Sequence, residues 1–258
     1  IAAANANDEV KLLGDVTLSA ELEITKAINI NLNGNEINGT VKLATVGATI
    51  TGTAANMTVT SGVEGYKAVY ESETWKLVEM QYVAQVGSNK YEKIQEAVNA
   101  ASENATIVII GDASDETVTV DKNLIITGSN FTLNNVAFNA DGADELTVSG
   151  LSFTGNSWIN SGTAEKLTVS GVTANVTPSN ASYTNSRSAF ISLGRSEQQQ
   201  LELYVTNCNI VANGGADPIL GWAAITKADI IGNTFGSESA YQTNSDCVKF
   251  MAIAQGAV

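Results

Sequence analysis

The chain has 258 residues and a mass of 26.9 kDa, enough to bury a sizeable core. Its 13 lysines and arginines against 27 aspartates and glutamates give a net charge of −14, which repels phosphate backbones and anionic lipids and argues against nucleic-acid binding. Histidine is absent, which removes the commonest general base and most catalytic zinc sites, and no apolar run is long enough to predict insertion of this segment into a membrane.

The first elements in the chain are predicted to be short strands joined by tight turns. Residues 10–15 read Val-Lys-Leu-Leu-Gly-Asp and residues 22–26 read Leu-Glu-Ile-Thr-Lys, which combine strand-forming side chains with a glycine turn. Residues 65–70 and 74–78 alternate in polarity on either side of Glu-Ser-Glu, which predicts a β-hairpin. We therefore assign residues 1–79 to a short β unit that ends in this hairpin.

The same two phrases begin a second time, about 97 residues later. Residues 107–112 read Ile-Val-Ile-Ile-Gly-Asp, and residues 118–122 read Val-Thr-Val-Asp-Lys. We assign this second and longer unit, the main domain, to residues 80–258. The repetition indicates an excerpt from a tandem array, with the first unit truncated at its N-terminus and with further coils or another capping element expected after Val258.

A capping helix is predicted at about residues 90–102, in front of the second unit. Asn89 and Glu92 have the spacing of a capping box. Apolar side chains then follow at helical spacing, at Tyr91, Ile94, Val98 and Ala101. Residues 1–7 resemble the tail of an equivalent helix in front of the first unit.

An eight-residue phrase, apolar-x-Val/Ile-Ser/Thr-Gly-x-x-apolar, recurs along the second unit at spacings of 22, 21, 36 and 25 residues. Copies lie at residues 124–131, 146–153, 167–174, 203–210 and 228–235, and related phrases lie at 30–37 and 48–52. Asn207 replaces the turn glycine in one copy, because asparagine also tolerates a positive φ. A unit of this length with two or three short strands predicts one coil of a parallel β-helix, whose apolar residues stack on those of the neighbouring coils.

The capping helix, the Gly-Asp step, the Thr-Lys or Asp-Lys turn and the stacked coils resemble the pectate-lyase-like right-handed β-helix superfamily. More narrowly, the tandem units are similar to repeats of bacterial cell-surface and adhesin-type proteins. The resemblance implies an all-β fold: a right-handed parallel β-helix, or solenoid, with a short capping α-helix and a β-hairpin between the units. It specifies the fold far better than the activity.

The leading functional hypothesis is a non-catalytic, extracellular bacterial surface protein, acting as an adhesin or stalk and binding a host or dietary glycan or a host surface protein. The expected state is a monomer at the bacterial cell surface, secreted or anchored. The alternative is a polysaccharide lyase or glycosidase acting on acidic glycans. A third hypothesis, a phage tail fibre, predicts an obligate trimer.

Two arginines are the first candidates for contact with an acidic sugar, because their planar guanidinium groups match carboxylates. Arg187 and Arg195 lie in the longest gap between repeat phrases, where extra residues must protrude from the coil as a loop, and they would supply the base if the protein is a lyase. Aromatic rings stack on sugars, and those outside the inward positions of the phrase are further candidates: Trp158, Tyr183, Trp222 and Tyr241.

No resident cofactor is predicted, although calcium is considered. Asp141, Asp144 and Glu145 are the calcium candidates, but they lack the spacing of a complete calcium loop and are better explained as turn residues. Cys208 lies in an alternating strand pattern and is expected to be a buried thiol, with no disulfide to Cys247.

Overall fold

The computed structural model describes residues 1–53, 55–180, 188–194, 200–236 and 248–253. The chain divides into two compact units, Ile1–Gln81 and Tyr82–Val258. Both are β-solenoids, in which successive coils add strands in parallel to the coil before. In the part of the chain that is described, no helix has the length and apolar character needed to cross a membrane.

The first unit contains short strands that stack as three parallel ladders. Its strands are β1 Glu9–Lys11, β2 Val16–Thr17, β3 Leu22–Ile24, β4 Asn29–Asn31, β5 Ile37–Leu43, β6 Thr49–Thr51, β7 Met57–Ser61, β8 Tyr66–Glu71 and β9 Thr74–Glu79. β4 pairs with β1 and β6, while β5 pairs with β2, β3 and β7. The core side chains come from successive coils: Ile24, Ile28, Ile30, Leu32, Ile37, Val41, Leu43, Ala48, Ile50 and Met57.

The predicted hairpin forms, and it ends the parallel stack of the first unit. β8 and β9 are antiparallel, and the turn residues Ser72 and Glu73 have φ values of 49° and 59°, the left-handed backbone that suits a two-residue hairpin turn. β9 also pairs antiparallel with β6. An antiparallel strand therefore occupies the edge where another parallel coil would add.

The second unit begins with a hairpin and a short helix and continues through stacked coils. Its first elements are β10 Ala84–Val86, β11 Asn89–Tyr91, α1 Ile94–Ala100, β12 Ala105–Ile109, β13 Ala113–Thr119, β14 Leu124–Gly128, β15 Thr132–Asn139, β16 Glu145–Ser149 and β17 Ser152–Gly155. The remaining strands are β18 Trp158–Asn160, β19 Lys166–Ser170, β20 Thr173–Val176, β21 Ala189–Leu193, β22 Gln200–Thr206, β23 Asn209–Ala212, β24 Asp217–Ile231, β25 Thr234–Phe235 and β26 Val248–Ile253.

The coils of the second unit have three faces. Face A consists of β12, β14, β16, β19, residues 202–206 of β22 and residues 227–231 of β24. Face B consists of residues 113–116 of β13, residues 132–134 of β15, β17, β20, β23 and β25. Face C consists of residues 117–119 of β13, residues 137–139 of β15, β18, β21, residues 217–221 of β24 and residues 248–250 of β26.

The repeat phrase predicts the register of face A correctly. The leucine that opens each phrase stacks on the next one, in the order Leu124, Leu146, Leu167 and Leu203, and the ladder continues to Ala228. The third position of the phrase forms a parallel row of buried side chains, Ile126, Val148, Val169 and Val205. Between the faces, Phe153 contacts Phe138 and Phe190 edge-on, at centroid distances of 6.0 and 5.2 Å.

The first copy of the phrase departs from the prediction at its turn. The phrase aligns Phe131 with Phe153, but in the structure Leu133 is the partner of Phe153. The left-handed turn residue of the second copy is Gly150, with a φ of 67°, whereas in the first copy it is Asn130, with a φ of 66°. The turn is therefore longer, and it shifts the following strand by two residues.

The capping helix is shorter than predicted, and the capping box is wrong. The helix covers Ile94–Ala100 and not 90–102, because residues 89–91 form β11, which pairs antiparallel with β10. The residue before the helix, Lys93, makes no side-chain capping bond. The carboxylate of Glu116 accepts hydrogen bonds from the amides of Ile94 and Gln95 instead, at 3.1 and 2.7 Å.

Of the predicted apolar stripe, Ile94, Val98 and Ala101 are buried, whereas Tyr91 lies in β11 before the helix and is half-buried. Residues 1–7 form turns and not the tail of a helix, so that expectation is wrong. Their carbonyls nevertheless accept hydrogen bonds from a lysine, as the carbonyls at the end of the helix do. Lys26 Nζ donates to the carbonyls of Ala2 and Ala4 at 2.9 and 2.7 Å, and Lys122 Nζ donates to those of Val98 and Ala101 at 3.3 and 3.4 Å.

The repeated Gly-Asp step has one structural role in both units. Asp15 Oδ1 accepts a hydrogen bond from the amide of Glu36 at 2.8 Å, and Asp112 Oδ1 accepts one from the amide of Thr132 at 2.7 Å. Each aspartate therefore links its own coil to the start of a strand in the next coil. The sequence duplication corresponds to an equivalent set of contacts.

Candidate functional site

Four of the predicted ligand-binding residues, Arg187, Arg195, Tyr183 and Tyr241, lie outside the described residues. The other two aromatic candidates are on face C or directly after it. Trp158 opens β18, Trp222 follows the face C portion of β24, and both are half-buried. The calcium candidates Asp141, Asp144 and Glu145 are exposed, in and beside the turn that leads into face A.

A polar groove with a volume of about 680 Å³ lies where coils enter face A. Its lining comes from successive coils: Asp144, Glu145, Thr163, Glu165, Lys166, Gln200, Glu202 and Thr226. Two of the three calcium candidates, Asp144 and Glu145, thus lie in the groove. Four carboxylates against one lysine make the groove electronegative.

The groove is bordered by an ordered row of charged side chains. Glu145, Lys166, Glu202 and Lys227 occupy the same register position on four adjacent strands, and their charges alternate in sign. Lys166 Nζ lies 3.0 Å from Glu145 Oε2, and the hydrogen bond to Glu145 is the main cause that raises the pKa of Lys166. Tyr204 Oη donates to Glu202 at 2.8 Å. The row therefore holds its side chains in place by mutual contacts.

The groove offers several hydrogen-bonding groups. Glu145 raises the pKa of Lys166, which favours the protonated form of this lysine and makes it a poor general base. Gln200, Thr163 and Thr226 provide uncharged donors and acceptors beside the carboxylates. Within the described ranges, no group of three or more histidine, cysteine, aspartate or glutamate side chains has an arrangement that could hold a metal ion.

Face C contains a row of polar side chains beside core residues. Phe138, Ile159 and Ile191 belong to the hydrophobic core, and each is directly followed by a polar residue. These polar residues are Asn139, Asn160 and Ser192, which are direct register partners on three adjacent coils. They are 5%, 0% and 0% exposed, although side chains of these types are mostly found in contact with water. We call these three residues the buried polar row.

The buried polar row lacks hydrogen-bond partners. Asn139 Oδ1, both amide atoms of Asn160, Ser192 Oγ and the neighbouring Trp158 Nε1 are buried without one. Leaving a buried polar group unpaired costs about 1–3 kcal/mol. Unpaired groups of this kind are rare in native proteins, and a cluster of them calls for a partner that hydrogen-bonds at this place.

Other buried polar side chains of the second unit do have partners. Ser157 Oγ accepts from the amide of Val136 at 2.9 Å and donates to the carbonyl of Thr154 at 2.6 Å. The Asn180 amide bonds both backbone groups of Ala189, each at 2.9 Å. In the second unit the row and Trp158 therefore differ from these side chains, while in the first unit Thr60 Oγ1 is also buried without a partner.

Sequence reasoning missed both the buried polar row and most of the groove. The sequence does contain a pattern that points to the groove, because a charged residue directly precedes the repeat phrase at Glu145, Lys166 and Glu202. The pattern for the buried polar row is weaker. It is a small polar residue after an apolar one, in Phe138-Asn139 and Ile159-Asn160. Alternation alone predicts that such residues are exposed, so their burial could not be foreseen.

No protein-family model, no curated protein and no solved structure matches the chain. The fold is therefore defined by the strand pairings, which establish a β-solenoid with one short helix in the described residues.

Proposed function

We propose that the protein is a non-catalytic, extracellular bacterial surface protein whose second unit presents the polar groove to a glycan. The observation that carries this proposal is the groove itself, where hydrogen-bonding side chains from successive coils are fixed in register along a rigid parallel ladder. Sites placed on rigid strands bind with little loss of conformational entropy. The first unit, with its small core and closing hairpin, acts as a spacer.

The finer family assignment is part of the same proposal. The capping helix, the Gly-Asp step and the lysine contacts support placing the solenoid in the pectate-lyase-like right-handed superfamily, with bacterial surface repeats as the nearest type. In this proposal the molecule acts as a monomer at the cell surface. Light scattering that gives the mass of a trimer would favour a tail-fibre assembly instead.

The charge of the groove indicates the class of glycan. Its four carboxylates and one lysine favour a neutral sugar or an amino sugar over an acidic one. An acidic glycan would need the two arginines or a bridging calcium ion to offset this charge. The lyase alternative therefore depends on Arg187 and Arg195 and draws no support from the groove.

Titration calorimetry of the full chain tests the proposal. The ligands are oligosaccharides of N-acetylglucosamine and glucosamine, xylan and glucomannan fragments, and polygalacturonate and alginate with and without calcium. We expect at least one neutral or amino oligosaccharide to bind, and Gln200→Ala and Glu202→Gln each to weaken that binding about tenfold, which corresponds to about 1.4 kcal/mol. The matched control Glu64→Gln, at an exposed position of the first unit, leaves the affinity unchanged.

Two results would overturn this proposal. Binding of none of these glycans would remove the groove as a glycan site. Release of unsaturated oligosaccharides from polygalacturonate or alginate, abolished by Arg187→Ala or Arg195→Ala, would establish the lyase instead.

A further inference from the structure

We propose that Tyr204 and Lys227 are positioning residues of the polar groove, which hold the carboxylate of Glu202 as an oriented acceptor for a donor group of the glycan. Neither positioning residue is among those that line the groove. This inference rests on the proposed function, and it adds to the groove two side chains that act on the ligand only through Glu202.

The strands place these side chains together on one surface. Leu203 is buried in the core of the second unit, whereas its neighbours on β22, Glu202 and Tyr204, are half-buried and lie on the opposite side of the strand. On β24, Lys227 is the register partner of Glu202, and Asp229 is the register partner of Tyr204. We call the four polar side chains the tyrosine quartet.

Three contacts connect the tyrosine quartet. Tyr204 Oη donates a hydrogen bond to Glu202 Oε2 at 2.8 Å. Lys227 Nζ lies over the Tyr204 ring, 4.8 Å from its centroid, at the distance of a cation–π contact, and it is 3.6 Å from Asp229 Oδ2. Tyr204 is the main cause that raises the pKa of Lys227, and the charge of Asp229 adds to it. The lysine therefore supports the tyrosine ring, and the tyrosine hydroxyl fixes the glutamate.

The bond from Tyr204 leaves one oxygen of Glu202 to a ligand. Glu202 lines the groove, and its Oε1 has no hydrogen-bond partner among the described residues. A carboxylate only accepts hydrogen bonds, so its partner is a donor, such as a sugar hydroxyl or the ammonium group of an amino sugar. Glu145 differs, because Lys166 at 3.0 Å offsets its charge. Glu202 is thus a charged acceptor that an uncharged donor orients.

Fixing this carboxylate favours binding for an entropic reason. A free glutamate side chain loses rotamer freedom when it binds a ligand, whereas one that is already ordered by its own contacts loses less. The hydrogen bond to the charged oxygen is the stronger contact, and the cation over the ring is the weaker one because Lys227 is exposed. We therefore expect the hydroxyl of Tyr204 to matter more than the charge of Lys227.

Titration calorimetry of the full chain tests the positioning role. The probe is the tightest binder among oligosaccharides of N-acetylglucosamine, glucosamine, xylan and glucomannan. We expect Tyr204→Phe to weaken binding about fivefold and Lys227→Met about twofold, while Lys227→Arg keeps a cation over the ring and binds like the wild type. The matched control is Tyr70→Phe, which removes a hydroxyl that donates to the carbonyl of Gly52 in the first unit and leaves the affinity unchanged.

Two further measurements separate positioning from a structural role. In a Glu202→Ala background no carboxylate remains to be positioned, so Tyr204→Phe is expected to change the affinity there by less than about twofold. A structural role would weaken binding in both backgrounds and lower the thermal midpoint. Crystal structures of the wild type and of Tyr204→Phe need no ligand. We expect the Glu202 carboxylate to have one position in the wild type and to be displaced or spread over several in the variant.

Three results would overturn the inference. One is an affinity that Tyr204→Phe leaves unchanged while Glu202→Gln weakens it. Another is an equal loss from Tyr204→Phe with and without the Glu202 side chain, and the third is an unmoved Glu202 carboxylate in the crystal structure of Tyr204→Phe. In each case a glycan that still binds the wild type leaves the proposed function intact. If none of the glycans binds, the proposed function is wrong and the positioning role is wrong with it.

Discussion

The two units open with the same contacts and then diverge. Each has an aspartate bonded to an amide of the next coil and a lysine bonded to backbone carbonyls near its start. In the first unit the stack soon ends in an antiparallel hairpin, and its described buried residues are all apolar. The second unit continues through more coils and contains the described side chains that are both polar and buried.

This difference shows that two units with equivalent starting contacts can differ in the side chains that they bury. An apolar core with an antiparallel edge favours stability and a definite end. Buried polar side chains in register lower stability, and proteins retain such costs mainly where function requires them. We therefore expect the first unit to tolerate surface substitution without functional loss, and the second to contain the sites.

The largest expected effect tests whether the units are independent. Phe153→Ala removes the ring between Phe138 and Phe190 and is expected to lower the stability of the second unit by about 3–5 kcal/mol. Hydrogen exchange followed by mass spectrometry should show faster exchange in peptides of residues 82–258 and unchanged exchange in peptides of 1–81. Ile30→Ala is the reciprocal control, with faster exchange in 1–81 only. Faster exchange in both units for either variant would mean that they unfold as one.

A smaller effect tests the contacts that the units share. Asp15→Ala and Asp112→Ala each remove one side-chain acceptor from an amide of the next coil, so each is expected to destabilise its own unit by about 1 kcal/mol. Urea denaturation of the two variants measures this. Asp8→Ala tests a contact within one turn, since Asp8 accepts from the amide of Asn5 at 2.7 Å, and we expect a smaller loss. Unequal losses for Asp15 and Asp112 would contradict the equivalence of the two steps.

The smallest expected effect concerns Cys208. Both cysteines of the chain, Cys208 and Cys247, belong to the second unit. Burial is the main cause that raises the pKa of the Cys208 thiol above its ordinary value of 9.0. The unfolded chain therefore releases this proton at a lower pH than the folded chain does. The contribution to stability is complete below pH 9.0 and is lost as the pH rises through the folded pKa.

Denaturation of wild type and Cys208→Ala across the alkaline range measures this term as the difference between their pH slopes. We expect the wild type to lose stability faster above pH 9.0 and the two slopes to agree below it. Other groups that titrate there, Cys247 among them, are the same in both proteins. Identical slopes throughout would show that the thiol is not protected by burial.

The sequence predicts most of the fold because the repeat phrase carries its register. The leucine ladder from Leu124 to Leu203 follows directly from the spacing of the phrase, and Asn207 has a φ of 54°, as expected for the residue that replaces the turn glycine. The errors arise where tertiary contacts compete with local patterns. Asn89 pairs in a hairpin and does not cap the helix, because Glu116 supplies the cap from the adjacent coil.

The candidate site is less predictable for a physical reason. Asn160 directly follows the core residue Ile159, and strand alternation predicts that such a residue is exposed to water. Its burial and the lack of partners for its amide depend on the three-dimensional surroundings of face C. The charged residues before each phrase, by contrast, could be aligned by extending the phrase one residue towards the N-terminus.

The register of face A also bears on how the solenoid grows. Its paired residues are separated by 19 positions between Ala105 and Leu124 and by 36 between Leu167 and Leu203. Each coil therefore finds its partner in the chain segment made just before it, and assembly can advance coil by coil during synthesis. Doubling the length of such a loop adds only about 0.6 kcal/mol of closure entropy. New residues can thus enter a turn while the coils on either side keep their alignment, which leaves the solenoid open to gaining loops by insertion.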